Sequence, residues 1–282
     1  MPMHRERVQL GLIGDNITRS QAPSLHERAG DLIGVDVRYD RLVPRDRGHS
    51  FEEIFAQAQA AGYRGLNITY PYKERVVPLL TVADPRIARL GAVNTVLFTA
   101  EGPLGYNTDF SGFIAGYKRV RGSAPAGRVC MVGAGGVGKA VAFGLLELGL
   151  QELRLVEQDL PKAEMLADTL RSAEPALAVK VVSELPEAAA EADGLVNCTP
   201  VGMVGYEGTP VPRELMTAAS WAFDAVYTPP DTLFLHEAEA AGLAIISGEE
   251  LFFYQGLHAF SVFHGREIGE AALRDIVAKP AA

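Results

Sequence analysis

The stretch Val129-Cys130-Met131-Val132-Gly133-Ala134-Gly135-Gly136-Val137-Gly138 decides how this chain folds. Its apolar opening predicts a buried strand, its glycines a tight turn, and the apolar spacing beyond them a helix over 137–148. On that helix Val137, Val141, Leu145 and Leu148 share one face, and Gly149 suits the left-handed position that closes it. The turn fits G-x-G-x-x-G. Gly133 makes the tight bend, Gly135 lets the backbone approach a pyrophosphate, and Gly138 permits close helix–sheet packing. The anion then rests on the helix N-terminus. Gly133, Ala134, Gly135, Gly136, Val137 and Gly138 are therefore the expected cofactor turn, against the alternative of a structural turn without ligand.

Downstream, short apolar runs at 153–156, 195–198, 222–226 and 244–246 predict strands with helices between them, the pattern of a doubly wound sheet. Glu157 lies at the end of the first of these, 24 residues past Gly133. A carboxylate there accepts hydrogen bonds from adenosine ribose hydroxyls and repels a 2′-phosphate. Asp159 adds to that repulsion, and no arginine follows immediately to clamp a phosphate. The expected cofactor is NAD rather than NADP, the alternative being that these acids are solvated turn residues.

Upstream, residues 8–13, 37–42, 65–69 and 92–98 read as strands, and 24–32 and 51–61 as helices, the latter stopped by Gly62. Alternating strands and helices make this an α/β region. A helix within 106–122 is expected to act as the hinge to the second sheet. The last forty residues read as helical over 250–264 and 266–277. The fold class expected is α/β, an N-terminal α/β substrate domain plus a Rossmann-type doubly wound NAD(P)-binding domain.

The 282 residues suit two domains, and 48% hydrophobic with 22% charged residues is an ordinary globular composition. A net charge of −9, from 26 basic against 35 acidic residues, argues against nucleic acid or an anionic membrane as the main partner. No apolar run is long enough to span a membrane and no leader is evident, so a cytoplasmic location is expected. Cys130 and Cys198 read as small core residues. The six histidines form no HExxH pair and no Cys/His cluster, so no metal is expected. The run His4-Arg5-Glu6-Arg7 reads as a solvated tail, and His26 as a packing or capping residue.

Polar clusters punctuate the first hundred residues: Ser20, Asn67-Ile68-Thr69-Tyr70-Pro71-Tyr72-Lys73-Glu74, Gly91-Ala92-Val93-Asn94-Thr95 and Gly105-Tyr106-Asn107-Thr108-Asp109. Each alone has a bland explanation. In this order, and followed by the glycine-rich turn, they resemble the shikimate/quinate dehydrogenase family over about residues 10–260. The resemblance implies Lys73 as general base and Asp109 as the carboxylate that orients it and binds the reacting hydroxyl. It implies that Ser20, Asn67, Thr69, Asn94, Tyr227 and Gln255 hold a hydroxylated cyclic carboxylate. It places Thr199, in Asn197-Cys198-Thr199-Pro200-Val201-Gly202-Met203, on a loop lining the nicotinamide, and Gly248 at a backbone contact to that ring. A glutamine returning to the substrate implies a substrate domain over 1–112, with C-terminal helices 247–282 packing back on it, and a Rossmann domain over 113–246. The protein is expected to work as a monomer or homodimer.

One departure stands out. The family presents Ser-x-Ser or Ser-x-Thr before a proline to bind the substrate carboxylate, whereas this chain has Ser20-Gln21-Ala22-Pro23. Losing a hydrogen bond to a charged group costs about 1.5–3 kcal/mol, unless Thr18 or Ser24 stands in. The readings that remain beside shikimate and quinate are a modified ring such as an aminoshikimate and a non-catalytic binding homologue.

Overall fold

A computed structural model of the protein describes residues 5–277. The chain forms two compact units. The first comprises the described residues up to Thr108 together with those from Gly256 onward, and the second runs from Asp109 to Gln255.

The first unit is built on β1 (Arg7–Ile13), α1 (Ala22–Ile33), β2 (Asp36–Leu42), α2 (Pro44–Arg47), α3 (Phe51–Ala60), β3 (Gly65–Ile68), α4 (Pro85–Leu90), β4 (Thr95–Thr99) and β5 (Gly102–Tyr106). Its sheet has the order β2-β1-β3-β4-β5. The β1 strand pairs in parallel with β2 and β3, whereas β4 and β5 run antiparallel. Leu10, Ile13 and Leu66 are buried on these strands, and Phe51 and Ile54 on α3. Ser50 and Glu53 form a reciprocal capping box that fixes where α3 begins. Later residues complete this core, for Ala259 and Phe263 pack with Leu10, Leu12, Val37 and Tyr39.

Three expectations change here. The fourth strand begins at Thr95 rather than Ala92, because the chain bends at Asn94 and the Val93 N–H bonds the Lys73 carbonyl outside the sheet. The fifth strand was not expected at all. Arg7 belongs to β1 and its guanidinium bonds Asp36 at 3.1 Å, so it is not part of a solvated tail. His4 lies outside the described residues.

The second unit carries α5 (Thr108–Arg121, from its second residue onward), β6 (Gly127–Val132), α6 (Gly136–Glu147), β7 (Leu150–Val156), α7 (Leu160–Ala173), β8 (Ala178–Val181), α8 (Leu185–Ala189), β9 (Gly194–Asn197), β10 (Trp221–Asp224), α9 (Leu233–Ala240) and β11 (Ala244–Ile246). The first eight residues of α10 (Gly248–His264) also belong to it, while the rest of α10 and α11 (Glu270–Val277) belong to the first unit. Its sheet is wholly parallel, with order β11-β10-β9-β6-β7-β8. The order reverses beside β6, as in a doubly wound fold.

Trp221 is fully buried, stacks edge-on against Tyr117 and donates its indole N–H to the Ala126 carbonyl at 3.2 Å. Gly194 leaves room for that indole, since any Cβ there would collide with it. The α6 helix is buried at every position from Ala140 to Leu145, so the expected single apolar face understates how deeply it sits. Both cysteines are buried and free. Among the described residues no helix is long and apolar enough to cross a membrane.

Candidate active site

In the second unit, the glycine-rich turn leaves β6 as expected. Gly133 has φ 100°, and a Cβ there would meet the Cys198 backbone carbon at 2.8 Å. Gly138 faces the Gly133 carbonyl at 2.6 Å from its own missing Cβ. Both glycines are thus demanded by the protein's own packing. Gly135 is different. Its φ is ordinary, and the nearest atom to a Cβ there is the Lys162 Nζ at 3.8 Å. The space above Gly135 and the N-terminus of α6 stays open, which fits a pyrophosphate approaching the backbone.

Glu157 ends up tied to this turn. Its carboxylate accepts the Ala134 N–H at 2.8 Å and the Asp159 N–H at 3.2 Å, with the Lys162 ammonium 3.9 Å away. Burial pushes this carboxyl up, but those donors and the lysine outweigh it and hold it below the usual range. Asp159 caps α7, accepting the Lys162 N–H at 3.2 Å. Lys162 was not singled out from the sequence; its position five residues past Glu157, across a capped helix start, was the available signal.

The loop after β9 is held from below by a buried network. The Asn197 side-chain oxygen accepts from the Thr199 N–H at 3.0 Å and the Thr199 hydroxyl at 2.7 Å. Its amide nitrogen donates to the Val201 carbonyl at 3.0 Å and to Asp224 at 2.9 Å. Asp224 also accepts the Val226 N–H at 3.0 Å and the Thr232 hydroxyl at 2.6 Å. Burial pushes the Asp224 carboxyl up, against the pull of its three donors. Tyr227 stacks on Phe252 with ring centroids 5.2 Å apart, and burial raises its hydroxyl. Gly248 is pressed against the Val226 carbonyl and has no room for a side chain. Gln255 donates to the Phe252 carbonyl at 3.0 Å, and Asp109 is buried in the first turn of α5.

In the first unit, Asn67 and Asn94 share one buried network. Both amide hydrogens of Asn67 are engaged, to the Asn94 carbonyl at 3.3 Å and the Thr95 hydroxyl at 3.0 Å. Its oxygen accepts from the Tyr39 hydroxyl at 2.8 Å, leaving one lone pair. The Asn94 oxygen accepts the Thr108 N–H at 2.7 Å and bonds Thr95, while its amide nitrogen donates to the Thr108 hydroxyl at 3.0 Å. One amide hydrogen of Asn94 remains. This pair of asparagines can therefore offer one acceptor and one donor, the complement of a hydroxyl group. Tyr39 is a member that the sequence reading missed, and Thr95 and Thr108, which lie within the quoted polar clusters, had no role assigned there.

Thr69 follows β3, and its methyl group would collide with any Cβ on Gly14. Lys73 follows the cis Tyr70-Pro71 bond, and its carbonyl accepts the Val93 N–H at 2.8 Å. The Ser20 hydroxyl accepts the Ala22 N–H at 3.3 Å, and its carbonyl takes a 2.7 Å bond from Arg41. Ala22 is buried at the first position of α1.

A doubly wound sheet with a glycine-rich turn and an acidic residue on it, joined to an α/β unit with a hydroxyl-complementary amide pair, defines an NAD(P)-dependent dehydrogenase. The family model of the shikimate dehydrogenase substrate binding domain matches residues 12–96. The quinate/shikimate dehydrogenase (NAD(+)) of Corynebacterium efficiens is 40% identical over 271 residues, covering 94% of this chain and 95% of that protein. The shikimate dehydrogenase (NADP(+)) of Pseudarthrobacter chlorophenolicus is 38% identical, covering 97% and 95%. A solved structure of quinate dehydrogenase from Corynebacterium glutamicum in complex with NAD has a TM-score of 0.90 at 36% identity, covering 97% of this chain and 99% of that one. This chain belongs to the shikimate/quinate dehydrogenase family.

Proposed function

We propose that the protein catalyses reversible, NAD-linked oxidation of a ring hydroxyl of shikimate or quinate. The observation that carries the substrate side is the amide pair of Asn67 and Asn94, with one acceptor and one donor left for a ring hydroxyl. A bound nicotinamide would supply the acceptor for the hydride that leaves the carbinol carbon. Lys73, as the neutral amine, takes the hydroxyl proton in oxidation and, as the ammonium, returns it in the reverse direction, with Asp109 orienting the Lys73 side chain and the reacting hydroxyl. Ser20, Thr69, Tyr227 and Gln255 hold the remaining ring substituents and the carboxylate.

NAD is the preferred cofactor in this reading. The charged Glu157 is anchored by the Ala134 N–H at the turn, where a 2′-phosphate would bring like charge into contact with it. Gly133 to Gly138 take the pyrophosphate, and Thr199 and Gly248 flank the nicotinamide. A location in the cytoplasm follows from the same metabolic reading. The deciding experiment follows reduced-nicotinamide absorbance with shikimate and quinate, each offered NAD and NADP. Turnover of either acid with NAD, at least tenfold above NADP, is the expected result. Cofactor binding without turnover of either acid would overturn the substrate assignment and favour a modified ring, in line with Ala22.

A further inference from the structure

Asp224 is a fully buried carboxylate with three hydrogen-bond donors and, among the described residues, no cationic partner. Buried carboxylates are ordinarily paired with a cation, because an isolated buried charge is costly. Burial raises this carboxyl, and the three donors, with no carbonyl or carboxylate among its partners in the described residues, pull it back toward the ionised form. An ionised Asp224 places a negative charge inside the second unit that none of the described residues neutralises.

The sheet order says which strand ends that charge lies beside. The glycine-rich turn leaves β6, and Glu157 leaves β7 on one side of it. By the general rule for doubly wound sheets, the other half of a dinucleotide would lie toward the carboxyl ends of β9 and β10. Those ends lie about 5 and 10 Å from β6, one and two strand spacings. Asp224 is the last residue of β10 and joins, through Asn197, the loop carrying Thr199 and Val201. Val226, which also donates to it, is the residue pressed against Gly248.

We propose that Asp224 sets the preference between the two redox states of the cofactor, its carboxylate favouring the oxidised, cationic nicotinamide over the reduced, neutral ring. The inference rests on the reading that this unit binds NAD. Reduction removes a full positive charge from the ring, so a fixed negative charge nearby acts on one redox state and hardly on the other. Asn197 and Thr232 hold Asp224 in place, which makes its field permanent rather than induced by the ligand.

The test compares dissociation constants for NAD+ and NADH in the wild type and in Asp224→Asn, measured by calorimetry and by NADH fluorescence. Asparagine keeps the shape and the two bonds accepted from Asn197 and Val226, while its amide N–H would donate to the Thr232 hydroxyl instead of accepting from it, so the change is mainly one of charge. NAD+ binding is expected to weaken about three- to tenfold, and NADH binding less than about twofold. Equal weakening of both would assign Asp224 a structural role and overturn the proposal, as would an unchanged ratio. Should the variant fail to fold, Asp224→Ser takes its place, removing the charge while leaving a hydroxyl; selective weakening of NAD+ is again expected, and equal weakening of both forms overturns the idea. Failure of the wild type to bind either form would instead overturn the NAD reading itself.

Discussion

The Glu157 carboxylate accepts the backbone N–H of Ala134 at 2.8 Å, joining the end of one strand to the glycine-rich turn of its neighbour. A single side chain therefore both shapes the turn and presents charge where an adenosine ribose would lie. Glu157→Gln should keep an acceptor for Ala134 while removing the charge. The ratio of kcat/KM for NAD over NADP is expected to fall by about tenfold, with Lys162 left to meet a 2′-phosphate. Steady-state kinetics with both cofactors provide the check, and an unchanged ratio would remove Glu157 from cofactor choice.

Lys73→Ala should reduce turnover by about 10² to 10⁴, the usual contribution of general acid–base catalysis. NADH binding, followed by fluorescence, should remain within about twofold of wild type. A variant retaining more than a tenth of the wild-type turnover would exclude Lys73 as the proton-transfer group.

Gly248→Ala forces a methyl group into the Val226 carbonyl. Neither partner is a flexible side chain, so the backbone must move, at a cost of about 1–3 kcal/mol. Thermal unfolding should register the loss, and cofactor affinity should fall with it. A variant as stable as wild type would mean that the β11–α10 junction yields more easily than its contacts indicate.

Acid should destabilise the protein through two histidines. His26 is buried against Tyr39 and Phe263, and both His26 Nδ1 and His264 Nε2 lack hydrogen-bond partners. Burial, with a smaller contribution from His264, lowers His26 to about 3; burial, then Arg64, lowers His264 to about 4. Both folded values lie below the unfolded one of about 6.5. Unfolded chains therefore bind more protons in between, so stability is full above about pH 6.5 and declines as pH falls toward 3 to 4. Each histidine contributes a slope of up to about 1.4 kcal/mol per pH unit. Chemical denaturation of His26→Leu across this range should show a shallower decline, and an identical slope would exclude His26 as a cause.

The sequence carries some of this structure openly and conceals the rest for definite reasons. Gly133 to Gly138 are legible because local spacing alone dictates a turn between strand and helix. The β5 strand, Gly-Pro-Leu-Gly-Tyr, contains poor strand formers and exists because β4 pairs with it residue by residue. The short edge strand β8 alternates over only four residues, too few for periodicity to register. Asn67 and Asn94 could be named from their motifs. Tyr39 could not, and the partnership of Thr108 with Asn94 was hidden too, since these groups meet the amides only after the chain has folded across 28 and 14 residues. Asp224 gave no local sign either, because a carboxylate at a strand end is ordinarily solvated.

The α10 helix starts in one unit and finishes in the other, so the first unit is discontinuous in sequence. Ala259, Phe260 and Phe263, which close its core around His26 and Leu10, are made only after every residue of the second unit. On the ribosome, the middle of the chain has its full set of residues before the beginning does. The Rossmann unit can complete its own core first, while the substrate-binding unit stays open until the last turns of α10 emerge.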